Sequence, residues 1–247
     1  MSIELCLLFF LVALLYSSAG FGGGSSYLAL MALAGINFQL MKSTALLCNV
    51  VVVAGGVYHF YRSGHLPVKK ALGICIASVP MAFVGSYLPL KQQTFFLLLG
   101  IALTTAALFM CYRLFLEKAY TPQPDSPKKI YRYGIIGGFI GMLSGMTGIG
   151  GGIYLAPILR LGRFDTAKNI AGLSSFFILV NSIAGLLGQV AKHEIVLDPH
   201  FALPLLLSVI IGGQIGSRFS AAILKPRWVE GVTAVLILYA GVRMLLH

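Results

Sequence analysis

Two long apolar runs are each broken by the same cluster of glycines, GFGGG at Gly20–Gly24 and GIGGG at Gly148–Gly152. No other feature constrains the fold of this chain as tightly. Glycine inside a helix costs about 1 kcal/mol relative to alanine. Non-helical backbone within a bilayer survives only where protein encloses it or water reaches it. Of the 247 residues, 58% are hydrophobic and 10% charged, against about 25% charged in a soluble domain. Mean hydropathy is +0.90. Stretches such as 97–108 and 229–246 approach or reach the length of a membrane span with almost no charge. The chain reads as an all-α polytopic membrane protein whose partner is the lipid bilayer.

A net charge of +11 invites a nucleic-acid reading. The basic residues instead sit in short loops between apolar segments, where they control topology, and no nucleic-acid-binding module is present. Cys6, Cys48, Cys75 and Cys111 stand singly in apolar runs, without the spacing of a metal or redox site. The opening stretch 1–19 carries Glu4 and no basic leader, and a matching stretch recurs in mid-chain, so it reads as a permanent element.

The two halves align at an offset of about 126–131 residues. Tyr27-Leu28-Ala29 falls on Tyr154-Leu155-Ala156, Lys42 and Ala45 on Lys168 and Ala171, and Val84-Gly85-Ser86 on Ile215-Gly216-Ser217. Residues 1–116 form a first repeat, with a glycine-tipped hairpin over about 2–36 and helices over about 39–62, 66–88 and 93–116. A polar, proline-rich linker follows at 117–130. Residues 131–247 form a second repeat, with a hairpin over about 131–162 and helices over about 166–191, 200–218 and 227–246.

Charge decides whether the chain crosses at each knot or turns back. With single crossings the 18 basic residues split 10 against 8. With hairpins, Arg62, Lys69, Lys70, Arg113, Lys118, Lys128, Lys129, Arg132, Arg160, Arg163, Lys168, Arg218, Lys225 and Arg227 share one side. Only Lys42, Lys91, Lys192 and Arg243 remain on the other. That bias is the positive-inside pattern. A hairpin plus three crossings is odd, so the repeats are inverted, with the linker cytoplasmic and both termini outside. An outgoing arm of about 12 residues spans roughly 18 Å, which reaches just past the middle of a hydrocarbon core about 30 Å thick. The two tips are expected to meet there.

At each tip a helix begins, and its free N–H groups and positive dipole end favour an anion. The expected donors are Gly22, Gly23, Gly24, Ser25 and Ser26 in the first repeat and Thr147, Gly150, Gly151 and Gly152 in the second. Asn49, Ser174 and Ser175, deeper in the helices that follow, are expected to line the same site; Lys42 and Lys168 are expected to snorkel to the interfaces. No acidic residue falls in mid-segment, which speaks against a carboxylate-caged cation. The knots lack both G-x-G-x-x-G spacing and a P-loop ending. Ser144 has no histidine at its depth to make it a nucleophile, since all five histidines lie near segment ends. No catalytic residue, metal ligand or cofactor motif emerges.

With these residues in view, the chain resembles the TauE/SafE family of sulfite exporters, also called the toluene-sulfonate uptake permease family. The resemblance rests on the two GxGGG knots, Tyr154-Leu155-Ala156-Pro157, KNIAGLSS at Lys168–Ser175 and GGQIGSRFS at Gly212–Ser220. It implies a transporter of the bacterial inner membrane for sulfite, organosulfonates or related sulfur anions. Leu30 follows Tyr27-Leu28-Ala29 where Pro157 follows Tyr154-Leu155-Ala156, and ALLCN at Ala45–Asn49 replaces the AGLSS pattern, so the two halves bring different ligands. The rival readings are an anion channel through the same midplane pore and a scaffold subunit of a larger complex. A homo-oligomer is compatible with all three.

Overall fold

The computed structural model describes residues 3–18, 20–116, 127–218 and 226–246, which form ten helices. In chain order they are α1 (Ile3–Ser18), α2 (Gly24–Leu33), α3 (Phe38–Arg62), α4 (Val68–Tyr87) and α5 (Gln92–Leu116). Then come α6 (Pro127–Thr147), α7 (Gly152–Leu161), α8 (Ala167–Ala191), α9 (Pro199–Arg218) and α10 (Pro226–Leu245). Most of the expected linker lies outside the described residues. Its last part, 127–130, opens α6, because proline fits the first turn of a helix, where its missing N–H costs nothing. α9 and α10 also start on proline.

Among the described residues, five helices are long and apolar enough to cross a membrane: α3, α4, α5 over Gln92–Tyr112, α8 and α9. α2 and α7 have 10 residues each, or roughly 15 Å, about half the hydrocarbon thickness. Large apolar side chains remain exposed on the outward faces, among them Ile76, Leu97, Phe139, Leu207 and Val235. So extensive an apolar surface suits lipid and not water.

Local chemistry sets where these helices begin. Asn37 Oδ1 accepts from the Gln39 N–H at 2.9 Å and opens α3. Thr166 Oγ1 accepts from the Asn169 N–H at 3.3 Å and opens α8. α2 and α7 have no side-chain cap. They start from Gly23 and Gly151, whose φ angles of 86° and 79° lie in the left-handed region. A residue with a Cβ is strained there by about 1–2 kcal/mol, so only glycine turns the chain at these two points without cost.

The helices pack in matched pairs. α1 lies along α9 and α6 along α4; α3 faces α8 and α5 faces α10. Small residues allow the closest approaches. Gly137, Gly141 and Gly145 bring α6 onto the carbonyls of Ile74, Ser78 and Ala82, while Gly212 and Gly216 bring α9 onto those of Phe10 and Leu14. Tyr133 at the start of α6 meets Phe164, just past α7, edge-on at 4.9 Å. Lys129 Nζ donates to the Arg163 carbonyl at 3.1 Å, and Lys70 pairs with Asp165 at 2.6 Å. The starts of α4, α6 and α8 and the end of α7 therefore share one end of the molecule. The start of α3 and the ends of α4 and α8 meet at another, around Lys42, Leu88 and Glu194.

Candidate functional site

Asn49 sits about halfway along α3 and is fully buried. Its Nδ2 donates to the Ile149 carbonyl in the second glycine knot at 3.1 Å. The first knot closes on the same side chain. A Cβ at Gly22 would lie 2.5 Å from Asn49 Oδ1, and one at Gly24 would collide with Asn49 Nδ2 and come within 2.7 Å of the Ile149 carbonyl oxygen. On the other side, a Cβ at Gly150 would lie 2.8 Å from Asn49 Nδ2. One amide thus touches both knots, and the knots touch each other. α8 returns the contact, for Ser175 Oγ donates to the Gly20 carbonyl at 2.5 Å. Asn49 and Ser175 each follow a lysine by seven residues, Lys42 and Lys168, and each holds the corner belonging to the other half.

The N-termini of α2 and α7 supply free donors at this junction. Tyr27 N–H bonds to the Gly23 carbonyl at 3.0 Å, and the Tyr154 and Leu155 N–H groups bond to that of Gly151 at 3.1 and 3.2 Å. Helix geometry leaves the N–H groups of Gly24, Ser25, Ser26, Gly152 and Ile153 without intrahelical partners, and all five residues are buried.

The side chains divide differently from the expectation. Ser26 Oγ shares a hydrogen bond with Tyr16 Oη at 2.7 Å. Thr147 Oγ1 donates to the Leu143 carbonyl of its own helix at 2.8 Å. These two and Ser175 brace the protein. Ser25 is buried at the first turn of α2, and Gly152 packs on Ile178 beside the Ser174 carbonyl. The Ser174 hydroxyl is buried with no partner. So are three hydroxyls beyond the expected set: Ser144, Ser182 and Tyr27. Ser182 Oγ would lie 3.3 Å from a Cβ at Gly150, Ser144 Cβ 3.4 Å from one at Gly151, and Tyr27 Oη 2.9 Å from one at Gly23. Ser144, one turn before its corner, was within reach of spacing arguments. Nothing local marks Ser182.

Depth also differs from a simple tip-to-tip meeting. Gly20 packs on Phe60 and Ala171, near the end of α3 and the start of α8, whereas Gly148 packs on Lys42 near the start of α3. The starts of α2 and α7 meet beside Asn49, halfway along α3, while the corners run past each other. The cause is length: α1 and α6 have 16 and 21 residues, roughly 24 and 32 Å, too long to stop at the middle. A cavity of about 190 Å³ lined by Ser17, Gly56, His59, Phe60, Ser63 and Ser217 opens beside the Gly20 corner.

Lys42 departs from its expected place. Lys168 is exposed as expected, but Lys42 is only 9% exposed, with Nζ 3.4 Å from the Ser86 carbonyl. At the opposite end Asp165 accepts from Lys70 at 2.6 Å, the Thr166 N–H at 2.7 Å and Asn169 Nδ2 at 2.8 Å. Burial pushes its carboxyl up, but these donors outweigh burial and hold it below the usual carboxylate range.

Among the described residues, ten helices, five of them long and apolar enough to span a membrane, surround a buried junction of helix N-termini, which marks a multi-pass membrane protein. The family model described as sulfite exporter TauE/SafE matches residues 5–244. The chain belongs to that family. It is 30% identical over 244 residues to a probable membrane transporter protein of Sinorhizobium fredii, y4hK, with 99% of this chain and 98% of the relative covered. It is 26% identical to the probable membrane transporter protein YjnA of Bacillus subtilis, over 99% of this chain and 100% of the relative. A relative from Methanocaldococcus jannaschii, the probable membrane transporter protein MJ0441, is 23% identical over 85% of each chain. No solved structure gives a significant match.

Proposed function

We propose that the protein carries small sulfur-containing oxyanions, of the sulfite and sulfonate class, across the bacterial inner membrane by alternating access. The observation that carries this reading is the convergence of two buried helix N-termini at Asn49. The free N–H groups of Gly24, Ser25, Ser26, Gly152 and Ile153 replace part of the hydration of an anion, and the dipoles favour its charge by up to about 2 kcal/mol per helix. Ser144, Ser174 and Ser182 add hydroxyl donors that the protein itself leaves unpartnered. The family description supports the sulfur-anion class.

The same contacts support an inverted-repeat plan. Exchanging the halves turns the α1–α9 pair into α6–α4 and leaves α3–α8 and α5–α10 unchanged, as an approximate twofold relation requires. Lys70, Lys129 and Arg163 gather at one end, and Lys42 and Lys192 at the other, around Glu194. This grouping supports re-entrant hairpins, a cytoplasmic linker and outward termini. Movement of one repeat or its hairpin against the helix bundle breaks the Asn49–Ile149 or Ser175–Gly20 link and opens the junction to one side. Purified protein in proteoliposomes should take up sulfite or ethanesulfonate with saturation, faster when the vesicles are preloaded. Anion currents without such counterflow would identify a channel, and absence of flux with either anion would refute the reading.

A further inference from the structure

The buried charge at Lys42 is poorly answered by its surroundings. An ammonium out of water needs an opposite charge or several acceptors. Lys42 packs its stem under the Gly148 corner, where a Cβ would lie 3.1 Å from Lys42 Cγ. Its Nζ reaches the Ser86 carbonyl at a long 3.4 Å. Glu194 lines the same cavity as Lys42 but is itself paired with Lys192 at 2.6 Å. Two further donors beside it are unspent. Gln189 is 4% exposed; its Oε1 accepts from Ser43 Oγ at 2.5 Å, and its Nε2 has no partner. The Ser86 hydroxyl, in a residue 2% exposed, also has none. Lys42, Gln189 and Glu194 line one cavity of about 20 Å³, walled by Phe38, Leu88, Leu90 and Phe95. That volume holds about one water molecule.

We propose that Lys42, Gln189 and Ser86 form an anion-recruitment site beside the Gly148 corner, closed in this structure by Glu194. The inference rests on the oxyanion-carrier reading and adds the full positive charge that the amide junction lacks. An arriving oxyanion takes the ammonium, the Gln189 amide and the Ser86 hydroxyl, and displaces Glu194. Glu194 is free to move, since its side chain is 46% exposed and belongs to the non-helical segment after α8. From Lys42 the path to Asn49 is seven residues of α3, about 10 Å. The second half has no equivalent, because Lys168 faces outward. Recruitment therefore works at one end of the path only.

The test is calorimetric titration of the purified full-length protein at pH 7 with sulfite and with ethanesulfonate. Lys42→Gln should weaken binding by at least about tenfold, as loss of a charge-assisted donor does, and Lys42→Arg should restore it to within about threefold of wild type. Glu194→Gln should tighten binding about threefold, because it removes a competing carboxylate. A purely structural lysine would not give opposite signs for Lys42→Gln and Glu194→Gln. Should Lys42→Gln fail to fold, tightening by Glu194→Gln carries the proposal and unchanged or weaker binding overturns it. Wild-type affinity in Lys42→Gln overturns it while leaving the carrier reading intact. Binding of neither anion by wild type brings down both.

Discussion

At the first glycine corner Ser26 is bonded to Tyr16 at 2.7 Å and Ser175 holds the Gly20 carbonyl at 2.5 Å, with the Tyr27 hydroxyl unpartnered next to Gly23. At the second corner, Ser144, Ser174 and Ser182 are all buried without partners, while Tyr154, which matches Tyr27, spends its hydroxyl on the Ala102 carbonyl of α5. Both corners place a left-handed glycine before the short helix, and the second adds another at Gly150, where the matching Gly22 has none. The side chains differ further. A buried hydroxyl without a partner costs about 1–3 kcal/mol, so three around one corner are a standing cost that the proposed anion would remove. Under the proposed function, the side chains of the first corner brace the fold and those of the second are left to meet the anion. A repeated fold keeps its geometry and lets the chemistry of its copies diverge.

The largest expected effect removes what the corners share. Valine at Gly151, with φ at 79° and a Cβ 2.9 Å from Ile140 and Phe177, should cut sulfite flux by more than about a hundredfold, since small misplacements of a binding group cost that much. Valine at Gly23 should do the same, with both variants still recovered in the membrane fraction. Normal flux through either would break the junction as the site.

The next prediction separates the corners. Alanine at Ser144, Ser174 and Ser182 together should weaken sulfite binding by about ten- to a hundredfold, yet leave the anion-free protein as stable as wild type or up to about 3 kcal/mol more so, because unsatisfied groups are removed. Alanine at Ser26 should act in reverse. It removes the Ser26–Tyr16 hydrogen bond, lowers stability by about 1 kcal/mol and leaves affinity within about twofold. Thermal unfolding and calorimetry on the same samples measure both, and equal behaviour at the two corners would refute the division of labour.

The smallest effect lies at the opposite end, where the second half has Asp165 and the first has Gln39 at the matching position. Asp165→Asn should lower stability at pH 7 by about 1–3 kcal/mol. A carboxyl held low in the folded protein stabilises it above its unfolded pKa, and that contribution is lost as pH falls through the folded value. The unfolding midpoints of wild type and variant should therefore converge below about pH 4. Gln39→Ala, tested alongside, should show no such pH dependence.

Much of this molecule can be read from spacing. The glycine knots, the short arms after them and the lysine seven residues before Asn49 and Ser175 are local patterns, and they point to the residues that meet at the junction. Ser182 could not be found this way, because its value comes from Gly150, which approaches from another helix. Ser26, Thr147 and Ser175 looked like free donors because a hydroxyl shows its acceptor only once its neighbours are placed. Lys42 and Lys168 occupy equivalent positions, yet one is buried and the other exposed.

From the order of its residues alone, this chain had to be helical, membrane-embedded and turned at two glycine corners: apolar length, charge placement and the absence of a Cβ act locally and need no partner. Which corner offers free donors, how far the corners overlap and which lysine is enclosed were decided only by tertiary packing. Burial and hydrogen-bond satisfaction are properties of pairs of helices, and the pairs here come from opposite halves of the chain.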